Sequence, residues 1–200
     1  MIRVGTSGWS YPSWRPGFYP ADVQPSEFLR YYAERFDTVE LNATGYRLPS
    51  EDQFKRWAET VPDGFRFAVK LPLARLDRVT PFLERVAALG DRLGPVRVVV
   101  EAARDEGLVT FVTGSAPPGA ELAWDFRHES WAGHAEGVVR VDDPNAEPFR
   151  YLRLREPPYS DDDLQAFAGT VRAPAYVYLR HEDEPTAPAY AVRLKQFLNV

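Results

Sequence analysis

The chain is organised around one stretch, residues 38–49, which opens as a strand and closes as a turn. It reads Thr38-Val39-Glu40-Leu41-Asn42-Ala43-Thr44-Gly45-Tyr46-Arg47-Leu48-Pro49. Polar side chains at positions 38, 40 and 42 alternate with apolar Val39 and Leu41, the period-two pattern of a pleated strand. Both faces look buried, yet one of them carries a carboxylate and an amide. Because burying an unpaired carboxylate is costly, Glu40 is expected to face a wet cavity or a fixed cation.

Seven further segments have strand-like patterns, and most of them are followed by a helical pattern. The predicted strands are 2–7, 38–42, 65–70, 96–101, 121–127, 137–142, 150–155 and 175–180. This alternation predicts an α/β fold, a compact TIM-like (β/α)8 barrel formed by a single domain over residues 1–200. One or two crossover helices are predicted to be shortened or missing, because residues 128–136 are too few for one and the helix near 105 looks stunted. A doubly wound sheet is the alternative, but it usually carries a Gly-rich phosphate turn that this sequence lacks.

Composition restricts the function classes. The net charge of −5 weighs against broad electrostatic binding of nucleic acid. The absence of cysteine removes disulfides, thiolate catalysis and cysteine-ligated metals. No apolar run reaches about 18 residues, so no membrane span is predicted. The chain enters a strand at once, without a hydrophobic leader, and we therefore expect a cytoplasmic protein.

A loop rich in aromatic residues follows the first strand. It reads Gly8-Trp9-Ser10-Tyr11-Pro12-Ser13-Trp14-Arg15-Pro16-Gly17-Phe18-Tyr19-Pro20. Its rings predict either an ordered plug at one end of the fold or a stacking surface for a planar or sugar-like ligand.

Ionisable and polar residues gather at the predicted strand ends, where TIM barrels place their active groups. They are Thr6, Ser7, Glu40, Asn42, Lys70, Glu101, Asp125, Arg127, Asp142, Arg153, Arg155 and Arg180. Residues two apart on one strand share a face, so the pairs 40/42, 125/127 and 153/155 each point to one side. If that side is inward, the rim is a ring of mixed charge whose members shift one another's pKa values.

The predicted catalytic residues are Glu40, Lys70 and Asp125. Glu40 would act as a general base, or it would form a structural buried pair. Lys70 would act as a Schiff-base nucleophile, a general base or a charge stabiliser, or it would pair with Glu40 or Asp125. Asp125 would orient the reacting groups.

The predicted substrate-binding residues are polar, cationic or aromatic. Arg127 suits a phosphate or carboxylate, and His128 would either shuttle protons or cap its loop. Arginines at 153, 155 and 180 would form an anion-receptive wall, or pair with the acids. The full set is Ser7, Trp9, Asn42, Tyr46, Arg127, His128 and Arg153. The three histidines lack ligand spacing, so no metal site is predicted, and the sequence names no cofactor and no oligomeric state.

The chain resembles the domain of unknown function 72 family, also called YecE-like. The resemblance rests on residues 5–14 and 18–20, on 32–33 through 38–49, and on 65–70 and 126–131. It implies a TIM-like barrel and supplies no activity. Several family signatures are altered in this chain, at Val79-Thr80-Pro81, Val100-Glu101-Ala102, Arg153-Leu154-Arg155-Glu156 and Leu179-Arg180-His181. The second half of the site is therefore rewritten relative to the family.

Three functions are consistent with these observations. The first is an enzyme, or a binding protein, acting on a small anionic or phosphorylated molecule at the rim. The second is a non-catalytic binder of a nucleotide or nucleic acid. The third is a degenerate member retained as a scaffold.

Overall fold

Strands and helices alternate along most of the chain. A computed structural model describes residues 1–42, 44, 48–73, 75–134, 136–181 and 185–200. The strands are β1 (Ile2–Thr6), β2 (Thr38–Leu41), β3 (Arg66–Pro72), β4 (Leu93–Val100), β5 (Leu122–Phe126), β6 (Val139–Arg140), β7 (Arg150–Leu154) and β8 (Ala175–Leu179). The α-helices of the described residues are α1 (Phe28–Ala33), α2 (Glu51–Thr60), α3 (Val79–Val86), α4 (Glu106–Ser115), α5 (Asp161–Thr170) and α6 (Thr186–Leu198).

The strands pair in parallel and form two sheets. One has the order β1-β8-β7 and the other the order β2-β3-β4-β5-β6. Isolated parallel bridges, Ser7 with Glu40 and Val141 with Tyr151, join the edges of the two sheets. The structure thus confirms the predicted α/β fold with parallel strands. It does not show a complete (β/α)8 barrel, because the strand ladders are continuous only within each sheet.

Local sequence signals explain where several helices begin. Ser50 accepts a hydrogen bond from the backbone N–H of Gln53 at the start of α2. Ser160 and Asp163 form a reciprocal capping box at the start of α5, as the sequence S-D-D-D suggests. None of the helices in the described residues is long and apolar enough to cross a lipid bilayer.

The crossover connections differ in one respect from the prediction. The β5–β6 connection carries a three-residue 3₁₀ turn, Glu129–Trp131, in its described part, so the expected missing helix is confirmed there. The short helix or turn predicted at residues 105–114 is observed as α4, and its ten residues make it a full helix instead of the stunted one expected. Asp105 caps it by accepting from the Gly107 N–H, and Leu108 and Val112 bury its inner face.

The aromatic loop packs into the core through its large rings. Trp14 and Tyr19 are fully buried, and the Tyr19 ring stacks on Phe28 of α1 with centroids 3.9 Å apart. This agrees with the prediction of an ordered plug. Trp9 and Tyr11, near its start, instead line a surface cavity.

Candidate functional site

The carboxylate of Glu40 is enclosed by four partners. Its side chain is 0% exposed. Oε1 lies 2.8 Å from Nε of Arg97 and accepts a hydrogen bond of 2.6 Å from the Tyr151 hydroxyl. Oε2 lies 3.0 Å from Nη2 of Arg153 and accepts a hydrogen bond of 3.0 Å from the Ser7 hydroxyl. The burial cost that the sequence raised for Glu40 is therefore offset by two guanidinium groups and two hydroxyls.

These partners keep Glu40 ionised. Burial by itself would raise its pKa, but the charges of Arg97 and Arg153 outweigh that effect and lower the pKa to about 2. A general base is most effective when its pKa lies near the working pH. The geometry therefore suits Glu40 better to holding two arginines in place than to taking a proton.

Arg97 is the centre of the site, and the sequence prediction missed it. Its side chain is 2% exposed. Nη1 lies 2.6 Å from Oδ2 of Asp125, and Nη2 donates a hydrogen bond of 3.1 Å to Oδ1 of Asn42. Arg97, which lies on β4, thus links Glu40 on β2 to Asp125 on β5. The available signal was a charged residue within the apolar run Val96–Val100, where burial demands a partner.

Small residues make room for this side chain. In a parallel sheet, residues in register point to the same face. Ala68 is in register with Glu40, and Ala123 is in register with Arg97. Both alanines are fully buried, and their short side chains leave room beside Glu40 and Arg97.

Asp125 extends the site towards solvent. Its Oδ2 lies 2.7 Å from Nη2 of Arg127 and 3.5 Å from Nη2 of Arg155. Arg155 also pairs with Asp142 at 2.8 Å, and Asp142 accepts a hydrogen bond of 2.7 Å from the backbone N–H of Arg153. The Arg127 side chain is 39% exposed, so the chain of charges runs from the buried interior to the surface.

Lys70 belongs to the same group. It is in register with Arg97 on the neighbouring strand. Burial lowers its pKa, and the positive charge of Arg97 lowers it further, while Glu40 opposes the change. We call the set of Glu40, Lys70, Arg97, Asp125, Arg127, Asp142, Arg153 and Arg155 the arginine cluster.

Tyr151 is the second residue that the prediction missed. Burial, followed by the charge of Glu40, raises the pKa of its phenol well above the usual value. The hydroxyl therefore stays protonated and donates to Glu40. Behind it the Tyr178 ring lies 5.2 Å away, and the Tyr178 hydroxyl is 2.7 Å from that of Thr38. A layer of polar groups thus continues inward below the cluster.

The other predicted site residues have different positions. Ser7 and Asn42 contact the arginine cluster as described above. The His128 ring is exposed and accepts from the Ser130 N–H at 3.2 Å, which agrees with the alternative that it caps its loop. Trp9 packs edge-on against Trp57 of α2, with ring centroids 5.0 Å apart. Tyr46 lies outside the described residues.

A cavity of about 580 Å³ adjoins the cluster. Aromatic side chains of the loop and of α2, Trp9, Tyr11 and Trp57, form part of its wall. Asn42, which accepts from Arg97, also lines it. The cavity and the cluster therefore share a boundary.

Comparison with known proteins places the chain among uncharacterised relatives. It is 38% identical over 104 residues to the UPF0759 protein YecE of Escherichia coli strain K12. The aligned segment makes up 47% of this chain and 35% of YecE. The chain is 30% identical over 70 residues to the UPF0759 protein YunF of Bacillus subtilis strain 168. That aligned segment makes up 35% of this chain and 24% of YunF. The matched segment thus spans about a third or less of the length of these curated relatives.

Solved structures share the fold. A DUF72 family protein from Enterococcus faecalis V583 superposes with a TM-score of 0.77 at 16% identity, covering 100% of this chain and 96% of the other. Phosphoribosyl anthranilate isomerase from Thermotoga maritima superposes with a TM-score of 0.52 at 12% identity, covering 100% of both chains. At these identities the likeness concerns the fold. A model of the family described as "Protein of unknown function DUF72" matches residues 3–200, and the chain therefore belongs to the DUF72 family.

Proposed function

We propose that this protein binds a small anionic molecule, through its phosphate or carboxylate group, at the arginine cluster. The observation that supports this is an excess of positive charge. The cluster brings five cationic side chains against three carboxylates. Within the cluster the cationic side chains thus outnumber the carboxylates by two, although the chain as a whole carries −5. An anion of charge −1 to −2 would neutralise that excess.

The arginines also keep donors in reserve. A guanidinium group has five N–H donors. Arg153 uses Nη2 for Glu40 and Ser7, and its buried Nε has no hydrogen-bond partner among the described residues. Arg127 uses Nη2 for Asp125 and reaches solvent. Arg127 is the most exposed arginine of the cluster, and together with half-buried Lys70 it is well placed to meet an incoming anion.

In this proposal the acids position the cations. Glu40 and Asp125 fix the planes of Arg97 and Arg153, so that the donors are oriented before a ligand arrives. Pre-oriented donors lose little entropy on binding and can discriminate between anions by shape. Asn42 and Ser7 complete the polar wall.

We further infer that the two sheets close into a TIM-like barrel whose strand C-termini form the rim. The Ser7–Glu40 and Val141–Tyr151 bridges support closure, since each joins an edge of one sheet to an edge of the other. The two solved structures that superpose on the whole chain, the DUF72 family protein and phosphoribosyl anthranilate isomerase, support the same arrangement. Functional groups at such a rim are typical of the fold.

Titration calorimetry with inorganic phosphate tests the proposal. Wild-type protein should bind phosphate, and Arg127→Gln should weaken binding by about tenfold to a hundredfold, because a charge-assisted hydrogen bond contributes about 1.5–3 kcal/mol. Arg30→Gln, on the exposed surface of α1, is the matched control and should bind as wild type does. Absence of phosphate binding to wild type, or equal affinity of Arg127→Gln, would contradict it.

A second candidate function is catalysis at the same site. It is favoured by the lowered pKa of Lys70, which increases the neutral amine available as a general base or as a nucleophile towards a carbonyl group. Asp125 would then orient the substrate through Arg97 and Arg127. Nucleic-acid binding and a scaffold role remain predictions of the sequence.

A further inference from the structure

The cavity adjoins the arginine cluster at residues that follow β1 and β2 in the sequence. Gly8 and Asn42, two of its lining residues, are the immediate or second neighbours in sequence of Ser7 and Glu40. The Gly8 N–H donates to the Glu40 carbonyl at 2.8 Å, so the first loop is attached to β2 at this point. The cavity therefore meets the cluster at the end of β2, through Gly8 and Asn42.

The chemistry of the cavity differs from that of the cluster. Its aromatic walls, Trp9, Tyr11 and Trp57, provide flat apolar surface suited to a planar ring. Among its described lining residues the charged side chain is Arg56, which donates to Gln53 at 3.0 Å. A volume of about 580 Å³ falls within the usual range of small-molecule sites.

Two uncharged amide side chains of the cavity wall can orient a ligand ring through hydrogen bonds. Asn42 and Gln53 both line the cavity and carry amide donors and acceptors. Asn42 also accepts from Nη2 of Arg97, so one side chain contacts both compartments. A hydrogen bond to a heteroaromatic ring would thus be coupled to the cluster.

We propose that the cavity and the arginine cluster bind the two ends of one ligand, an organic phosphate that carries a planar heteroaromatic ring, of the size of a mononucleotide. The ring occupies the cavity against Trp9 and Trp57, and the phosphate lies at the cluster. This inference rests on the proposed function, since it assigns the second half of the same ligand.

Calorimetry with three probes, adenosine monophosphate, adenosine and inorganic phosphate, tests the inference. Adenosine monophosphate should bind roughly tenfold or more tightly than phosphate, because stacking of one base adds about that factor. Gln53→Trp should fill the cavity from α2 and remove this advantage while leaving phosphate affinity unchanged. Glu59→Trp places the same ring on the exposed side of α2 and should bind all three probes as wild type does.

Fluorescence of the wild-type tryptophans gives a second readout that needs no variant. Adenosine monophosphate should quench the emission in a saturable way, and phosphate alone should not. Equal affinity for adenosine monophosphate and phosphate, or full affinity of a folded Gln53→Trp for adenosine monophosphate, overturns the inference. Adenosine binding as tightly as its monophosphate also overturns it, because the two compartments would then act independently.

The two proposals fail in different ways. If phosphate binds and Arg127→Gln weakens it, while the ring adds nothing, the inference about the cavity is wrong and the proposed function survives. If neither phosphate nor the nucleotide binds, both proposals are wrong.

Discussion

Nε of Arg97 lies 2.8 Å from Oε1 of Glu40 at a place where the two side chains are 2% and 0% exposed. The contact is an ion pair in which the Nε–H bond is not directed at the oxygen well enough to form a hydrogen bond. A fully buried ion pair is a weak source of stability, because desolvation of both charges opposes their attraction. We therefore interpret the pair as a device that fixes a cation, and the following predictions test parts of that interpretation.

Replacing Glu40 by Gln should destabilise the protein by about 3 kcal/mol at neutral pH. The amide keeps the shape but leaves Arg97 and Arg153 without their counter-charge, and the figure follows from a pKa lowered from 4.5 to about 2. Urea unfolding measures the loss. Glu59→Gln, on the exposed side of α2, is the control and should change the free energy of unfolding little. A Glu40→Gln variant as stable as wild type would show that the carboxylate is not needed to offset the arginines.

The same pair gives a pH dependence of defined sign. The folded-state pKa of Glu40 is lower than its unfolded value, so its contribution is complete above about pH 4.5 and is lost as the pH falls towards 2. Wild type and Glu40→Gln should therefore converge in stability over that interval. A difference that stayed constant down to pH 2 would contradict the pKa assigned to Glu40.

Tyr151→Phe should cost about 1.5–3 kcal/mol, because it removes the hydroxyl that donates to buried Glu40 at 2.6 Å. The ring and its packing against Tyr178 are kept. Tyr190→Phe, at a half-buried position on α6, is the matched control and should cost less than about 0.5 kcal/mol. Thermal unfolding of the two variants makes the comparison, and equal losses would argue against a hydrogen bond of special value at Glu40.

Gly5→Ala should destabilise the protein by about 1–3 kcal/mol or more. A Cβ at this position of β1 would lie 2.2 Å from the backbone carbonyl oxygen of Thr38, so β1 and β2 would have to separate where Ser7 bridges to Glu40. Gly114→Ala in α4 meets nothing within 4 Å and should be neutral or stabilising, because alanine favours helix. Equal effects of the two substitutions on chemical denaturation would refute the close approach.

Lys70 should react faster than the other lysines with an amine reagent near neutral pH. Its pKa is lowered by burial and by Arg97, whereas that of Lys55 is raised by Glu51. The chain supplies its own controls, since Lys55, Lys70 and Lys195 are its three lysines. Reductive methylation followed by peptide mass spectrometry gives a rate against pH for each one. The midpoint for Lys70 should lie below that for Lys55, and a coincident midpoint would remove the case for Lys70 as a base or nucleophile.

Local patterns predicted the strands and helices well, because the strands follow an alternating pattern and several helices begin at a capping residue. The strand at 38–42 is observed at Thr38–Leu41, and the helix at 51–60 is observed at those residues. The helix near 105 was underestimated, since its cap at Asp105 and its buried residues lie among polar neighbours that dilute the pattern. Local patterns do not show how the edges of the two sheets meet, because the Ser7–Glu40 and Val141–Tyr151 bridges join residues in or next to different strands.

The sequence predicted some residues of the site and missed others, because alternation along a strand shows the face of a side chain but not its partners. Equal parity placed Glu40 and Asn42 on one face, and both contact Arg97 in the structure. Arg97 itself was hidden within an apolar run, and Tyr151 is one of ten tyrosines. Which charge neutralises Glu40 is decided by register between β2, β4 and β7. Sequence alternation along one strand carries no information about that register.

Anomalous diffraction of crystals soaked in selenate, a heavier analogue of phosphate and sulfate, would show directly whether the arginine cluster holds an anion. We expect a strong selenium peak at the arginine cluster, close to Lys70, with the selenate oxygens within hydrogen-bonding distance of Arg153 or Arg127. We also expect loss of that peak in Arg127→Gln crystals of the same form. Selenate bound solely at other surface arginines, with the cluster empty at saturating concentration, would contradict the proposal that the cluster is an anion site.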